Sequence, residues 1–418
     1  MNLMMELETK GRQAKAAARQ LAVLSTTVKN QALLSMAAAL EDGQEEILSA
    51  NAVDMAAGEV KGLSAALLDR LKLNEARIHA MAEGLRQVAA LPDPIGEVLS
   101  GARRPNGLNI EKIRVPFGVI AMIYEARPNV TVDAAGLCLK TGNAVILRGG
   151  SEAIESNKVL AAILIQAAHK SGIPDGAVAF VETVDREAVS LLLKMNRFID
   201  VIIPRGGAGL IRTVVENSTV PVIETGIGIC HTFVDESADL DMAADIAFNA
   251  KVSRPGVCNS METLLVHRGV ADRLMPGLLA RFDQAGVELR GCQRTAAYHS
   301  SVKPAVEEDW ATEYLDFILS IKLVDSLDEA LEHIDRYSTK HSEAIVTRDY
   351  ANARRFQQQV DAAAVYVNAS TRFTDGFEFG FGAEIGISTQ KLHARGPMGL
   401  VEMTSIKYLV SGDGQIRR

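Results

Sequence analysis

The opening part of the chain places apolar side chains three and four positions apart, in a stretch rich in Ala, Leu, Glu, Gln and Arg. That spacing puts the apolar side chains on one face of an α-helix, so it predicts amphipathic helices over residues 6–90. Turn-forming residues interrupt the pattern at Asp42-Gly43 and at Gly62-Leu63-Ser64, where we expect helices to end. The chain should therefore begin with several packed helices.

A different pattern follows Leu91-Pro92-Asp93-Pro94, which cannot continue a helix. Residues 108–115 alternate apolar with polar side chains, which predicts a half-exposed strand able to pair with a partner. From Gly118 onward, short apolar runs alternate with amphipathic segments of helix length, a pattern typical of parallel α/β sheets. Two such sheets are expected, with a boundary near residues 225–235. The predicted strands are 118–124, 144–147, 177–181, 201–203, 220–223, 263–266, 317–323, 343–346 and 364–367, and the predicted helices include 153–170, 186–194, 240–251, 327–337 and 350–360.

Composition and charge exclude several classes of protein. The 418 residues are 48% hydrophobic and 23% charged, which is typical of a globular chain with two or three domains. Lys plus Arg number 44 against 52 Asp plus Glu, and a formal net charge of -8 lacks the basic footprint of a nucleic-acid-binding protein. The apolar runs are far shorter than the roughly 18 residues that cross a bilayer, so no membrane partner is expected.

Side chains with familiar chemistry are sparse. The sequence has no phosphate-binding GKS or GKT loop, no HExxH and no GxSxG. No histidine is spaced from Cys, Asp or Glu as metal ligands are, so no metal is expected. Four cysteines are too few for a disulfide framework, and a reducing cytoplasm is the expected location. They are Cys138, Cys230, Cys258 and Cys292.

Cys258 is the cysteine best placed for chemistry. It lies in the polar, Gly/Pro-broken segment 253–260, between a predicted helix and an apolar strand. Arg254 would favour the thiolate, which is the nucleophilic form of cysteine. The alternative is a small buried hydrophobic residue, and that interpretation is kept for Cys138, Cys230 and Cys292.

Three strand ends could bind a cofactor or substrate. Residues 125–131 follow a predicted strand, at the edge where ligands of α/β sheets bind, although Asn129 or Thr131 could simply cap a helix. Residues 142–151 are predicted to form a turn, a buried strand and a glycine-containing loop at the end of that strand. The loop could bind the ribose or phosphate of a cofactor, or it could be only a tight turn. The segment 204–209 is glycine-rich without dinucleotide-fingerprint spacing, so it marks either a phosphate site or a strand-to-helix turn.

Taken in order, these segments resemble the gamma-glutamyl phosphate reductases, or glutamate-5-semialdehyde dehydrogenases, of the aldehyde dehydrogenase superfamily. The resemblance covers nearly the whole chain and is carried by residues 115–133, 140–150, 230–235, 254–259 and 392–399. It implies an α/β aldehyde dehydrogenase-like fold of two open α/β domains plus a small β oligomerisation element. Residues 1–105 and 118–228, with part of 375–400, would bind the dinucleotide, 229–374 would carry the nucleophile, and 106–117 with 401–418 would form the oligomerisation strands.

The resemblance also implies a reaction. NADPH would reduce L-glutamate 5-phosphate to L-glutamate 5-semialdehyde and phosphate, the second step from glutamate to proline. Cys258 would form a thioester with the substrate, and its backbone N–H together with the Asn129 side-chain amide would stabilise the oxyanion. Glu224 lies about where hydrolytic relatives place a base, but phosphate release needs none, so Glu224 is left unassigned.

Cofactor and substrate residues follow from the same resemblance. Ser151 takes the place of a glutamate that holds the adenosine ribose in NAD-preferring relatives, which favours NADPH. Glu313 would position the nicotinamide ribose, and the substrate's charged groups need nearby cations and amides. The expected cofactor residues are Arg148, Gly149, Gly150, Ser151, Arg205, Gly206, Gly207 and Glu313, and the candidate substrate residues are Arg127, Lys251, Ser253 and Arg254.

Partners and rival functions complete these expectations. A homo-oligomer is expected, and a transient complex with glutamate 5-kinase is a further hypothesis because this chain contains no kinase domain. One rival is an aldehyde dehydrogenase or CoA-acylating reductase acting on another substrate. The other is a catalytically silent dinucleotide-binding protein, in which Cys258 would be no more reactive than the other cysteines.

Overall fold

A computed structural model describes residues 2–417, apart from the side chains of residues 65 and 66. The chain divides into two compact units, which are described separately. The first comprises Met1–Thr225, Gly380–Gly386 and Met398–Arg418, and the second comprises Gly226–Phe379 and Ile387–Pro397. No helix among the described residues is long and apolar enough to cross a membrane.

The first unit opens with the predicted run of helices. Gly43 ends one helix and begins the next, so the predicted break there is confirmed. The Asn74 side chain accepts a hydrogen bond of 2.8 Å from the backbone N–H of Arg77, which caps the last helix of the run. These helices are α1 (Leu3–Leu21), α2 (Thr26–Asp42), α3 (Gln44–Val60), α4 (Ala65–Leu71) and α5 (Glu75–Ala90).

A parallel sheet forms the rest of the first unit's core. The elements that follow α5 are β1 (Val98–Arg103), β2 (Asn109–Pro116), β3 (Val119–Tyr124), α6 (Asn129–Lys140), β4 (Ala144–Arg148), α7 (Ile154–Lys170), β5 (Val178–Phe180), α8 (Arg186–Leu192), β6 (Val201–Arg205) and α9 (Ala208–Asn217). The strand order is β5-β4-β3-β6, and every residue of β3 is buried. The strand predicted at 220–223 is wrong. Only one bridge forms, between Ile202 and Val222, because Pro221 has no N–H to extend the ladder.

The second unit is built on another parallel sheet, whose strands lie in the order 303–304, 288–291, 318–324, 261–267, 230–234, 342–346 and 364–367. The α/β class with parallel sheets is therefore confirmed. The helix over Arg268–Gln284 was not predicted, because Gly269, Pro276 and Gly277 interrupt its apolar pattern. The elements are β7 (Cys230–Val234), α10 (Leu240–Val252), β8 (Met261–His267), α11 (Arg268–Gln284), β9 (Glu288–Gly291), β10 (Lys303–Pro304), β11 (Ile318–Val324), α12 (Leu327–Tyr337), β12 (Ser342–Val346), α13 (Tyr350–Gln359), β13 (Ala364–Val367), β14 (Ile387–Ser388) and β15 (Gly396–Pro397).

A separate antiparallel sheet completes the first unit. Strand β16 (Thr404–Ser411) pairs with β2, which pairs on its other side with β1. The strand predicted at 108–115 is confirmed, and a strand forms within residues 401–418, as the resemblance implied. Tyr408 and Val410 are more than half exposed. A sheet that leaves such apolar side chains in solvent suits the predicted oligomerisation role, which stays a prediction.

Candidate active site

Cys258 occupies the turn between α10 and β8, where its side chain is half-buried. Its carbonyl oxygen accepts a hydrogen bond of 3.2 Å from the Cys230 thiol. Gly228 also lies against this carbonyl group, so close that a Cβ built at residue 228 would be 1.5 Å from the Cys258 carbonyl oxygen. Only glycine fits at residue 228, and the close packing holds the backbone of Cys258 in one place.

Asn259 ties this turn to the segment 370–375. The Asn259 amide donates to the carbonyl of Thr374 at 2.9 Å, and the Thr371 hydroxyl donates to the Asn259 carbonyl at 2.8 Å. The guanidinium of Arg372 donates through Nη1 to the Asn259 side-chain oxygen and through Nε to the Ser253 hydroxyl, the latter at 3.1 Å. Arg372 therefore joins both ends of the turn that carries Cys258.

Arg372 was not predicted, because nothing near it in sequence marks it as functional. Burial lowers the pKa of its guanidinium, and the charge on Arg254 lowers that pKa further. Asp375 and Cys258 act in the opposite direction on that pKa. Arg254 is exposed and forms no ion pair with the described residues. The candidate nucleophile is thus accompanied by a pair of arginines.

Lys251 lies in a different environment from the one expected of a substrate ligand. Its ammonium contacts the Glu262 carboxylate at 2.6 Å, and both side chains are fully buried. Burial raises the pKa of Glu262 to about 7, although Lys251 opposes that shift, and burial lowers the pKa of Lys251. The candidate assignment of Lys251 to the substrate is therefore disfavoured, since the side chain faces the interior of the unit.

Glu313 supports the same part of the second unit. Its carboxylate accepts a hydrogen bond of 2.6 Å from the backbone N–H of Gly228. This bond holds in place the glycine on which the Cys258 carbonyl packs. The role expected for Glu313 on a nicotinamide ribose stays a prediction beside this observed contact.

In the first unit, the candidate cofactor loop begins at the end of β4. The Arg148 side chain is buried and donates to the carbonyl of Val184 at 2.9 Å and to that of Gly149 at 3.1 Å. Burial lowers the pKa of Arg148. A Cβ at Gly149 would lie 2.3 Å from the Asn157 amide nitrogen, and one at Gly150 would lie 2.4 Å from a carboxylate oxygen of Glu152. At Gly149 a side chain would press on the buried Asn157 and on Tyr124, whereas at Gly150 the Glu152 carboxylate could move aside.

Ser151 follows directly and is exposed, and its hydroxyl donates to the Glu152 carboxylate at 3.3 Å. Residues 148–152 therefore form one short loop at the end of β4. The guanidinium of Arg148 is committed to backbone carbonyls, whereas Ser151 is accessible. Arg148 therefore acts on the shape of this loop.

The glycine-rich segment 204–209 forms a turn between β6 and α9. A carboxylate oxygen of Glu125 accepts a hydrogen bond of 2.7 Å from the backbone N–H of Gly207, and a Cβ at Gly206 would lie 2.5 Å from the same oxygen. Glu125 was not among the predicted site residues. Arg205 is half-buried and lies near Gly386 and Asp133. The geometry is that of a strand-to-helix turn whose N–H is occupied by a carboxylate.

Asn129 begins α6 and is exposed. Its side-chain amide donates to the Asp133 carboxylate at 2.9 Å. Burial raises the pKa of Asp133 to about 6, while the Asn129 hydrogen bond and Arg205 oppose that shift. Arg127 precedes the helix and is half-buried, as is Glu224 beyond the bridge at Val222. Within residues 2–417, no group of three or more His, Cys, Asp or Glu side chains is arranged to hold a metal ion.

Comparison with known proteins identifies the family. The aldehyde dehydrogenase family model matches residues 5–297. A gamma-glutamyl phosphate reductase of Moorella thermoacetica is 67% identical over 100% of both chains. The chain belongs to the gamma-glutamyl phosphate reductase family. A crystal structure of the family's member from Thermotoga maritima matches with a TM-score of 0.95 and 48% identity, covering 99% of this chain and 100% of that one.

More distant proteins share only the fold with this family member. An acetylating aldehyde dehydrogenase from Geobacillus thermoglucosidasius matches with a TM-score of 0.74 at 19% identity, covering 100% of this chain and 98% of that one. The predicted aldehyde dehydrogenase-like fold is therefore confirmed. The family predicted from the sequence segments is confirmed as well.

Proposed function

We propose that this protein reduces L-glutamate 5-phosphate to L-glutamate 5-semialdehyde with NADPH and releases phosphate, as the second step of proline formation from glutamate. The observation that carries this proposal is the full-length likeness to proteins named gamma-glutamyl phosphate reductase, at 67% identity. The half-buried thiol of Cys258, on a backbone held by Gly228, is the nucleophile that such a reaction requires.

Cys258 performs both covalent steps in this proposal. Its thiolate attacks the acyl carbon, the bond between that carbon and the phosphate oxygen breaks, and a thioester on Cys258 remains. NADPH, when bound, supplies the hydride that reduces this thioester. The resulting hemithioacetal collapses to the aldehyde and returns the thiolate. No water attacks the thioester, so the scheme assigns no general base to Glu224.

Two N–H donors would stabilise the negative oxygen that forms at each covalent step. The backbone N–H of Cys258 makes no hydrogen bond with the described residues, which supports its availability to the substrate. The Asn129 amide uses one donor on Asp133 and is exposed, so its second hydrogen can reach a ligand. The assignment of Asn129 rests on the family resemblance. Oxyanion donors of this kind typically contribute on the order of a hundredfold or more to turnover.

Members of the aldehyde dehydrogenase family use NAD or NADP, and the preference for NADP belongs to this proposal. The loop 148–151 suits a nucleotide, because glycines at residues 149 and 150 allow a ligand to approach the backbone where β4 ends. Ser151 puts a hydroxyl where a carboxylate would repel a 2′-phosphate. Arg205, Gly206 and Gly207 would contribute at the end of β6.

The test runs the reaction in reverse, because the acyl phosphate is labile. Pyrroline-5-carboxylate, which the semialdehyde forms by cyclising, is supplied with NADP and inorganic phosphate, and NADPH absorbance is followed. A signal that requires phosphate and disappears in Cys258→Ser supports both the reaction and the nucleophile. NADPH formation that does not depend on phosphate contradicts the proposal. Glu224 would then be assigned as the base that activates water for hydrolysis.

The proposal extends to the surroundings of the enzyme. We place it in the cytoplasm, as a homo-oligomer that uses the sheet of β1, β2 and β16, with a transient complex with glutamate 5-kinase. The exposed apolar side chains Tyr408 and Val410 support the oligomer. Light scattering of the Tyr408→Lys variant, compared with the original protein, tests it directly.

A further inference from the structure

We propose that Arg372, assisted by Arg254, forms the phosphate-binding site for the leaving group beside Cys258. This inference rests on the proposed function and names the residues that recognise one part of the substrate. Its geometric basis is the guanidinium of Arg372, which donates to the side chains of Ser253 and Asn259. These two residues neighbour Arg254 and Cys258 in the chain, so Arg372 lies across the turn that carries the nucleophile.

The guanidinium has donors left for a ligand. Nε and Nη1 are used within the turn, whereas Nη2 makes no hydrogen bond with the described residues. A planar guanidinium presents five N–H donors in a fork that matches phosphate oxygens. Arg372 is held by its own hydrogen bonds before any ligand arrives, so little side-chain freedom is lost when an anion binds.

Charge favours an anion at this place. Arg254 is exposed, forms no ion pair with the described residues, and its charge interacts with that of Arg372. Two like charges close together are unfavourable unless an anion lies between or beside them. Asp375 is the acid that interacts with Arg372, and its Oδ1 accepts from the backbone N–H groups of Phe377 and Glu378 at 2.9 and 3.4 Å. Asp375 therefore contributes one negative charge against the two positive charges of Arg372 and Arg254, which leaves the cluster positive.

The phosphate is the substrate group that fits this position. It is bonded through one oxygen to the carbon that Cys258 attacks, whereas three carbons separate that carbon from the α-carboxylate carbon of glutamate 5-phosphate. Cations on the turn that carries the attacking thiol would therefore lie closer to the phosphate than to the α-carboxylate. The same pair of arginines would stabilise the negative charge that grows on the phosphate as its bond to carbon breaks.

The experiment measures the reverse reaction of the full-length protein and separates the two substrates. Arg372→Gln should raise the KM for inorganic phosphate on the order of tenfold or more and leave the KM for pyrroline-5-carboxylate within about twofold. Arg372→Lys should keep part of the phosphate binding, and Arg254→Gln should show a smaller increase. Arg336→Gln is the control, since Arg336 lies exposed on α12 and pairs with Glu307. An unchanged KM for phosphate, or an equal rise in both KM values, would overturn the proposal.

Alkylation of Cys258 provides a second readout that needs no turnover. Iodoacetate is an anion and iodoacetamide is neutral, so the ratio of their rates at Cys258 reports the positive charge beside the thiol. The ratio should fall in Arg372→Gln, and inorganic phosphate should slow iodoacetate in the original protein. Arg254→Gln and Arg372→Lys are measured in parallel, so the test remains possible where Arg372→Gln folds poorly. A ratio of iodoacetate to iodoacetamide rates that is unchanged in the Gln variants contradicts the site. If the original protein shows no phosphate-dependent activity but the ratio falls as expected, the proposed function fails and the anion site stands.

Discussion

Gly228 lies against the carbonyl of Cys258, and a Cβ at residue 228 would be 1.5 Å from that oxygen. Gly228→Ala must therefore displace the backbone of the proposed nucleophile. A misplacement of about 1 Å can cost on the order of a hundredfold in rate, so we expect a loss of kcat of at least that size. Steady-state kinetics of the reverse reaction measure it.

The matched control is Gly277→Ala. Gly277 lies in α11, and a Cβ built there meets no atom within 4 Å. An alanine in a helix is favoured over glycine, so this variant should keep its kcat and unfold at an equal or higher urea concentration. Equal kcat in both glycine variants would show that Cys258 tolerates displacement.

The buried pair of Lys251 and Glu262 predicts a stability effect that depends on pH. Lys251→Met leaves the Glu262 carboxylate buried without its cation, which typically costs about 3–5 kcal/mol of unfolding free energy. Burial already raises the pKa of Glu262 to about 7, so the folded state holds this proton to higher pH than the unfolded state does. Stability from that proton is lost as the pH rises through 7. The variant should therefore be destabilised more at pH 8 than at pH 6 in urea unfolding.

A double variant, Lys251→Met with Glu262→Leu, removes both charges and should recover most of that free energy. The same pair bears on the active site, because Lys251 was a candidate substrate residue. If the double variant restores both stability and the KM for each substrate, Lys251 has only a structural role. A rise in one KM at full stability would return Lys251 to the substrate site.

Cys292 is a second thiol that we expect to react in any test of cysteine reactivity. It was predicted to be a small buried hydrophobic residue, but its thiol is half-buried and lies 3.2 Å from the Thr295 hydroxyl. Burial acts to raise the pKa of Cys292, but hydrogen bonds from Thr295 and from nearby backbone N–H groups outweigh it and lower that pKa. Burial instead raises the pKa of Cys138 and of Cys230.

Native alkylation with iodoacetamide should therefore label Cys258 and Cys292 and spare the other two cysteines. Peptide mass spectrometry at several reaction times gives the four rates. Cys292→Ser should leave one fast-reacting thiol and an unchanged kcat. Labelling of Cys138 at the rate of Cys292 would show that burial does not protect it.

The sequence predicted elements whose signal is local. Helices α1–α5 and the buried strand β3 follow from spacing within a few residues, and their packing agrees with that spacing. Contacts between distant segments have no such signal. Arg372 follows Asn259 by 113 positions, and only the fold brings them into contact. The burial of Lys251 against Glu262 was not predicted for a related reason, since nearness to Cys258 in sequence does not fix which way a helical side chain points.

Ser151 allows a test of cofactor preference. Ser151→Glu would place a carboxylate beside the proposed position of the 2′-phosphate, and like-charge repulsion should lower kcat/KM for NADP by about tenfold or more. The value for NAD should change little. Ser190→Glu is a suitable control, because Ser190 is an exposed residue of α8. Equal catalytic efficiency with NAD and NADP in the original protein would contradict the assignment at once.

The hydrogen bond between Asn129 and Asp133 should make kcat depend on pH. The pKa of Asp133 is raised by burial to about 6, so below that pH the carboxylate that accepts from the Asn129 amide is protonated. If Asn129 stabilises the oxyanion, this charged acceptor keeps its amide oriented, and kcat should fall by on the order of tenfold as the pH drops through 6. Asp133→Asn cannot titrate, so its kcat should be low and should lack this pH dependence between pH 5 and 7. Asn129→Ala should remove the same dependence and lower kcat on the order of a hundredfold at pH 8. An acid limb near pH 6 that persists in Asp133→Asn would assign that titration to another group.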